Sequence, residues 1–484
     1  MATLPFMKRA IAALVCTNLV LPVQADRTPR VIWPDPQPAA PTTPNFHAPS
    51  ATSCDRPVAA RIIPNQPAQQ VGVLEARPMP YAPPMPAVEA PSARAKLAAA
   101  PVARDEAVAG SRVAPPAVAV APAHGYAPQP APQTQTQTQT QPLAETVTAG
   151  VVDDNANFGE YLAFRARTQV EHRERDVRER YLLEVKDSNG HGVPDAEVAV
   201  RSAAGAAMWA RTDTAGHAWL HPDAFDTAHA GSYQVLARKA GQQGMATLSR
   251  GQKSAVELRL DMAPAPAQAR LDLVFMVDAT GSMGDEIDKL KSSMQAIVRQ
   301  ISQLPSHPDL CLGLVAYRDR VDEFLVKSHD LSNDLPGFQR ALNGLVADGG
   351  GDYPEDMNAA FKETVQNISW RNEGATRLVI LVADAPPHLD YGGTQYDESM
   401  VAALGKGIKV FSVGASGLDK QGEYIQRQIA QYTGGRFVFL TYKDARNPGS
   451  GPGRETVHDV QNYSVETLDK LVVRLVSQEL AALK

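Results

Sequence analysis

Residues 270–484 are predicted to form an α/β domain with a doubly wound, mostly parallel sheet. Two observations support this fold class: near-continuous apolar strands, typical of strands buried on both faces, and amphipathic helical patterns between them. The predicted strands are Leu271–Val277, Leu310–Tyr317, Arg377–Ala383, Ile408–Val413 and Arg436–Leu440. Apolar residues recur at helical spacing between strands, as at Ile287, Leu290, Met294, Ile297 and Ile301.

A third observation concerns the ends of these strands. The charged stretch 318–323 is expected to turn the chain into an antiparallel edge strand near Phe324–Val326. In sheets of this class the ligand site lies beyond the carboxyl ends of the parallel strands. Asp278 and Asp384 each follow an apolar strand directly, so both are expected at that edge.

A small all-β sandwich is predicted for residues 181–262, where the apolar period changes to that of strands. The expected strands are Tyr181–Val185, Val193–Val200, Ala218–Leu220, Tyr233–Ala237 and Ala255–Leu260. The turn and strand motifs D-x-x-G, V-P-x-A-x-V, T-D-x-x-G and G-x-Y-x-V resemble the carboxypeptidase regulatory-like, or transthyretin-like, sandwich. This resemblance implies a structural or spacer module. Residues 151–180 are expected to be a helical connector, because Phe158, Tyr161, Leu162 and Phe164 recur at helical spacing.

Residues 26–150 are predicted to be a disordered linker. Proline and alanine dominate this stretch, and residues 133–141 alternate Gln and Thr, so there is too little apolar surface to offset chain entropy. We expect a semi-rigid tether. Residues 1–25 have the pattern of a secretory signal: Lys8 and Arg9, a short apolar segment, and Ala25 at the exit. No later segment is apolar enough to span a membrane, so the protein is expected to be exported, either periplasmic or secreted to the cell envelope.

Charge and cysteine content restrict the function further. The formal charge is −6, and removal of Lys8 and Arg9 with the signal makes it −8. This mild acidity argues against nucleic acid as a partner. Cys16 leaves with the signal, and two remaining cysteines make no disulfide framework. Cys311 lies in an apolar run and is expected to be a buried packing residue, whereas pairing of Cys54 between molecules is left open.

The loop Asp278-Ala279-Thr280-Gly281-Ser282 carries the main functional signal. A carboxylate and two hydroxyls at alternate positions suit a hard divalent cation. The D-x-T-x-S pattern resembles the metal-ion-dependent adhesion site (MIDAS) of the von Willebrand factor type A (VWA) family. That resemblance implies a site formed by three loops, with Asp278, Thr280 and Ser282 on the first loop and Asp384 on the last. It also implies Mg²⁺, or alternatively Ca²⁺ or Mn²⁺, and recognition of a protein partner through a partner carboxylate.

The middle loop departs from the common pattern of that family. A threonine is often found there, whereas this chain has Gly349-Gly350-Gly351-Asp352-Tyr353-Pro354-Glu355-Asp356, with Pro354 expected in the first turn of a helix. One or more of Asp352, Glu355 and Asp356 is expected to be a metal ligand, and the sequence leaves open which. Asp356 can alternatively serve the amino terminus of that helix, as Asp285 and Glu286 are expected to do for the helix after the first loop.

Three functions compete at this stage. The favoured one is an exported, non-enzymatic binding protein that uses a metal to hold a protein partner. A structural envelope protein with a closed or vestigial metal site is the alternative. A metal-dependent hydrolase is less favoured, because a cation near Asp384 and His388 could activate water, yet no pair of nucleophile and base is evident.

Overall fold

A computed structural model of the protein describes residues 53–65, 146–262, 269–351, 353–372 and 374–481. The predicted signal peptide and most of the predicted linker therefore lie outside the described residues. No helix within the described ranges is long and apolar enough to cross a membrane. The strands are β1 (Ala60–Ile63), β2 (Thr148–Val152), β3 (Tyr181–Lys186), β4 (Glu197–Ser202), β5 (Ala207–Arg211), β6 (His217–Leu220), β7 (Ser232–Lys239), β8 (Gln242–Ser249), β9 (Val256–Arg259), β10 (Arg270–Asp278), β11 (Asp309–Tyr317), β12 (Val326–Ser332), β13 (Thr376–Ala383), β14 (Ile408–Gly414), β15 (Phe437–Asp444), β16 (Asn447–Pro452) and β17 (Glu466–Thr467). The α-helices are α1 (Phe158–Arg167), α2 (Ile287–Ser302), α3 (Leu335–Asn343), α4 (Met357–Gln366), α5 (Tyr396–Lys406), α6 (Lys420–Tyr432) and α7 (Leu468–Ala481), and Pro222–Ala224 and Gly281–Asp285 are short 3₁₀ helices.

The large sheet is mixed. Its strand order is β1-β12-β11-β10-β13-β14-β15-β2-β17, and β16 pairs with β15. The five central strands, β11, β10, β13, β14 and β15, run parallel, as predicted. The outer strands are antiparallel, so the prediction of a mostly parallel sheet holds for the centre only.

Helices cover both faces of this sheet. On β10, Leu273, Phe275 and Val277 belong to one buried cluster, which also contains the apolar faces of α2, α3 and α7. The alternating residues Val274 and Met276 belong to a second cluster, which contains the buried residues of α4, α5 and α6. Because successive strand residues point to opposite faces, a continuous apolar run is needed to fill both layers.

The edges of the sheet differ from the prediction. β1 and β2 both come from the range predicted to be a disordered linker, so that prediction is wrong at residues 60–63 and 148–150. The expected antiparallel strand after residue 323 is β12, but it is not the edge strand, because β1 pairs along its outer side. Both new strands have long-range partners that a local pattern cannot reveal.

A disulfide fixes the segment that precedes β1. Cys54 and Cys311 are bonded, with their Cα atoms 6.0 Å apart, and both residues are buried. Cys311 is thus not only a packing residue, and Cys54 pairs within the chain. Arg56 forms an ion pair with Asp330 at 3.0 Å, which holds the same segment against the end of β12.

Residues 181–262 form two small sheets, with orders β6-β3-β9 and β5-β4-β7-β8. Their inward residues, such as Leu183 on β3 and Val235 on β7, share one buried cluster. β5 and β8 are absent from the sequence prediction. The residues of β8 are mainly polar and exposed, so the strand lacks a clear apolar period.

Ion pairs join the two small sheets to the α/β part. Asp195 accepts a hydrogen bond from Arg377 Nη1 at 2.9 Å and from the Gly374 amide at 2.6 Å. Arg175 pairs with Asp397 on α5 at 2.8 Å. The Asp195 contacts lie at the amino end of β13, away from the edge where Asp278 and Asp384 stand, whereas Asp397 lies in the first turn of α5, after the third loop.

His221 is buried at the same junction and predicts a dependence of stability on pH. Its ring stacks on Tyr432 at 5.3 Å, and neither ring nitrogen has a hydrogen-bond partner. Burial, assisted by Arg180, lowers the pKa of His221 from 6.5 to about 3. Below pH 6.5 the unfolded chain therefore binds a proton that the folded chain does not, and we expect stability to fall by about 1.4 kcal/mol per pH unit from this residue.

Replacement His221→Phe should remove this contribution, because phenylalanine keeps the stacked ring but has no group to protonate. Urea unfolding at a series of pH values between 6.5 and 4 would measure the slope. His191→Gln offers a comparison at a histidine whose side chain is 69% exposed and lies 3.5 Å from Asp187; its effect on the slope should be much smaller, because water screens exposed charges. An unaltered slope in His221→Phe would contradict the assignment.

Candidate metal centre

The first loop is held by one oxygen of Asp278. Oδ1 accepts hydrogen bonds from the Thr280 amide at 3.0 Å and from Thr280 Oγ1 at 2.7 Å. Thr280 Oγ1 lies 3.1 Å from Ser282 Oγ. The second carboxylate oxygen, Oδ2, is buried and has no hydrogen-bond partner of good geometry, although the buried Tyr317 hydroxyl lies close to the carboxyl group. One oxygen thus orders the loop, and the other remains able to bind a ligand.

Asp384 stands beside this loop because β10 and β13 are neighbours. Val277 pairs with Val382 in the sheet register, so the residues that follow both strands meet at one edge. Asp384 is 4% exposed, and its Oδ1 has no hydrogen-bond partner. The structure therefore brings together the four residues predicted for the first and third loops.

Glu355 is the middle-loop acid that points into the site. Its amide donates to the Pro386 carbonyl at 3.1 Å, and its carbonyl accepts from the His388 amide at 3.2 Å, which ties the middle loop to the third. Its Oε2 is buried without a hydrogen-bond partner. A Cβ at Gly350 would be 2.8 Å from Glu355 Oε1 and 2.9 Å from Thr280 Cβ, so only glycine allows the loops to approach this closely.

Asp356 has a different role. It is the N-cap of α4, where its side chain accepts a hydrogen bond from the Ala359 amide at 3.1 Å, and it pairs with Arg320 at 3.1 Å. Helix α4 begins at Met357, so the expectation that Pro354 lies in its first turn is wrong. Asp352, the third candidate, lies outside the described residues.

The three inward carboxyl groups disfavour one another's charge. Burial, followed by the nearby Asp384, raises the pKa of Asp278 to about 7. Burial raises the pKa of Asp384 to about 6, partly opposed by a hydrogen bond from Ser282. Burial raises the pKa of Glu355 to about 9, and Asp278 adds to this shift. A bound cation would offset the free-energy cost of ionising these buried carboxyl groups, because its positive charge replaces the solvation by water that burial removes.

Carboxylates alone do not make the site. Within the described residues, no three histidine, cysteine or acidic side chains converge closely enough to hold an ion by themselves. The hydroxyls of Thr280 and Ser282 are therefore needed as additional donors. An all-oxygen donor set with neutral and charged members suits Mg²⁺, Ca²⁺ or Mn²⁺.

Two further acids lie next to the site: Asp319, which was not among the predicted site residues, and Glu286, which was expected only to serve the amino terminus of α2. Asp319 follows β11 at the same edge and accepts a hydrogen bond from Tyr391 Oη at 3.0 Å. Glu286 accepts from the Ser416 amide at 3.2 Å and from Tyr442 Oη, so it links the first loop to β15 as well as standing at the start of α2. Asp319 stands two residues after the end of a parallel strand, and that position is a signal that could have identified it.

His388 is packed against an aromatic ring and lies between two acids, with Nε2 3.8 Å from Asp319 Oδ1. Its ring stacks on Tyr391 at 3.6 Å with an angle of 7° between the planes, and Nδ1 lies 3.0 Å from Asp390 Oδ1. Arg320 covers the same tyrosine ring at 3.6 Å.

Comparison with known proteins locates the family resemblance. Residues 272–446 match the profile of the von Willebrand factor type A domain. The chain is 32% identical over 141 residues to the alpha-protein kinase vwkA of Dictyostelium discoideum, which covers 29% of this chain and 22% of that one. It is 26% identical over 221 residues to human integrin beta-4, which covers 38% of this chain and 12% of integrin beta-4. It is 31% identical over 153 residues to the rat von Willebrand factor A domain-containing protein 7, which covers 30% of this chain and 14% of the rat protein.

These matches are confined to a part of each protein. The chain spans less than a quarter of the length of each of these relatives. Among solved structures, the pilus adhesin SpaC of Lactobacillus rhamnosus GG in its open conformation aligns with 15% identity and a TM-score of 0.27, covering 43% of this chain and 29% of that one. A similarity this low carries no functional argument. The profile match covers the parallel strands and all three loops, and residues 272–446 are therefore a von Willebrand factor type A domain.

Proposed function

We propose that the protein binds Mg²⁺ through Asp278, Thr280, Ser282, Glu355 and Asp384, and uses the ion to hold a protein partner. The observation that carries this proposal is the set of three buried carboxylate oxygens, Asp278 Oδ2, Glu355 Oε2 and Asp384 Oδ1, none of which has a hydrogen-bond partner of good geometry. Buried acceptors without partners cost free energy, and a divalent cation among them would remove that cost.

The donor set allows one external ligand. Mg²⁺ prefers octahedral coordination and usually keeps several waters, so some of these five side chains would act through bound water, and a position would remain for water or for a partner carboxylate. The two hydroxyls add no negative charge, whereas the three carboxylates, when all are ionised, outweigh the two positive charges of the ion; this strengthens Mg²⁺ binding and reduces the attraction for a partner carboxylate. We propose that a partner carboxylate completes the coordination, either directly or in exchange for water.

A protein-interaction role is supported by the domain family, which includes an integrin subunit among the matched relatives. The relatives cover only parts of their own chains, so the partner of this protein does not follow from them. We propose a binding protein rather than an enzyme, because His388 is stacked and paired at the edge of the site. The two small sheets of residues 181–262 would serve as a spacer.

Export is proposed from two features. The predicted signal at residues 1–25 directs secretion, and the disulfide between Cys54 and Cys311 requires an oxidising compartment. The periplasm or the cell envelope meets this requirement. Expression in the cytoplasm of a reducing host should therefore leave both thiols free.

Titration calorimetry with Mg²⁺ tests the ligand assignment. We expect Asp278→Ala and Glu355→Gln each to weaken Mg²⁺ binding by at least about tenfold, because each removes a charged oxygen donor. Asp356→Asn is the matched control: asparagine is also a good N-cap, so this neighbouring change should leave the affinity within about twofold. Unchanged affinity in Asp278→Ala would overturn the proposed site, and a loss in Asp356→Asn alone would move the ligand to that residue.

A further inference from the structure

A pocket of about 270 Å³ opens beside the third loop. Its walls are residues 415–418, which follow β14, and the hairpin of β15 and β16 with residues 456–458. Gly417 belongs to this pocket, and a Cβ at that position would lie 3.9 Å from Asp384 Oδ2. The pocket therefore lies directly beside Asp384, a proposed metal ligand.

The pocket is also fixed to the first loop. Glu286, four residues after Ser282, accepts hydrogen bonds from the Ser416 amide at 3.2 Å and from Tyr442 Oη. Ser416 and Tyr442 both line the pocket. One side chain thus connects the residues after the first loop to two walls of the pocket.

The lining of the pocket combines apolar walls with a cation. Leu418, Leu440 and Val457 contribute the apolar part, and Val457 is 57% exposed. Arg446 lies at the tip of the hairpin, is exposed, and forms no ion pair in the part of the chain that the structure describes. Such walls suit a large apolar side chain that is accompanied by an acidic group.

Exposed apolar side chains concentrate at this edge of the domain. The described residues include six large apolar side chains that are exposed, and four of them lie on loops at the carboxyl ends of the parallel strands: Val321, Val346, Tyr353 and Val457. Single exposed apolar residues are ordinary on protein surfaces. Four of the six, however, lie at the edge of the sheet that carries the proposed metal site.

From these observations we infer that the partner presents an acidic segment, with a carboxylate on the ion and a large apolar side chain of the same segment in the Gly417–Val457 pocket. An extended chain advances about 3.3 Å per residue, so the apolar residue would stand one to three positions from the acid that binds the ion. Arg446 favours a second acidic group near the apolar residue. This inference rests on the proposed metal-dependent binding and adds the class of partner.

Panning a phage-displayed library of random linear peptides on the full chain in Mg²⁺, with elution by EDTA, tests the inference. We expect the released peptides to be enriched in an acidic residue with Leu, Ile, Met or Phe within three positions. Two variants alter the lining of the pocket: Ala445→Trp adds a large side chain, and Val457→Asp adds a charge. Each should lower the affinity for a synthetic consensus peptide by at least about tenfold. Met245→Asp, a matched change of an exposed apolar residue on β8, should have no effect.

The outcomes separate the two proposals. Calorimetry with Mg²⁺ alone should give the same affinity in both pocket variants as in the unaltered protein, which also shows that they are folded. If EDTA releases no acidic peptides at all, the proposed function fails. If acidic peptides are released without an apolar preference, or if the consensus peptide binds both pocket variants normally, the metal-dependent function stands and the pocket inference is overturned.

Discussion

Replacement of both Cys54 and Cys311 by alanine is expected to lower the free energy of unfolding by about 2–5 kcal/mol. The two cysteines are 257 residues apart in the sequence, so the bond closes a very large ring in the unfolded chain, and its loss restores the corresponding entropy. Urea unfolding of the oxidised protein and of the double variant would measure the difference.

The effect should begin at one edge of the sheet. Without the bond, the amino-terminal segment is held by the four-residue pairing of β1 with β12 and by the ion pairs Arg56–Asp330 and Arg61–Glu363. Hydrogen exchange should rise first in β1, while β10 and β13 at the centre remain protected. The unaltered protein in reducing agent is the control and should match the double variant. Equal stability of the oxidised protein and the variant would contradict the expectation.

The same bond shows why the amino-terminal segment could not be predicted. Composition predicted disorder for residues 26–150 because proline and alanine dominate, and local composition cannot show that Ala60–Ile63 pairs with a strand some 270 residues later. The pairing partner and the cysteine partner both lie in the distant domain. The sequence distance, rather than any weakness of the local pattern, is what hides this contact.

The interpretation of the linker as a tether changes as a result. Ile63 on β1 pairs with Val326, and Thr148 on β2 pairs with Thr441. Both positions lie at the carboxyl edge of the parallel strands, on either side of the site. Residues 53–65 and 146–152 are thus part of the same unit as the parallel strands, so the described part of the predicted linker is packed on that unit.

The centre of the fold was predictable for the opposite reason. β10 and β13 are apolar along almost their whole length because both faces of the sheet are covered by helices, and that signal is local. Their end points also place Asp278 and Asp384 at one edge. The sequence could not show whether Glu355 or Asp356 points into the site. The two acids are adjacent, and the one that caps α4 is directed away from the site. Which acid caps the helix depends on where the helix begins.

Replacement of Asp384 by asparagine is expected to stabilise the metal-free protein and to abolish its stabilisation by Mg²⁺. Burial raises the pKa of Asp384 from 3.8 to about 6. An acid whose pKa is higher in the folded than in the unfolded state lowers stability progressively as pH rises between these two pKa values. Above pH 6 the ionised Asp384 therefore lowers the free energy of unfolding by its full amount, on the order of 2–3 kcal/mol. Asparagine cannot ionise, and the penalty disappears.

Thermal unfolding at pH 7.5, in EDTA and in Mg²⁺, would reveal both effects. The unaltered protein should gain stability with Mg²⁺ concentration, because the ion binds the folded state alone, whereas the Asp384→Asn variant should melt higher in EDTA and not respond to Mg²⁺. Asp330→Asn is the matched control: that buried aspartate is paired with Arg56 at 3.0 Å, so its replacement should destabilise the protein. If Asp384 had only a structural role, its replacement would destabilise the protein, as at Asp330. A carboxylate that is held for a cation lowers stability only while the cation is absent. A lower melting temperature of Asp384→Asn in EDTA would therefore contradict the metal site.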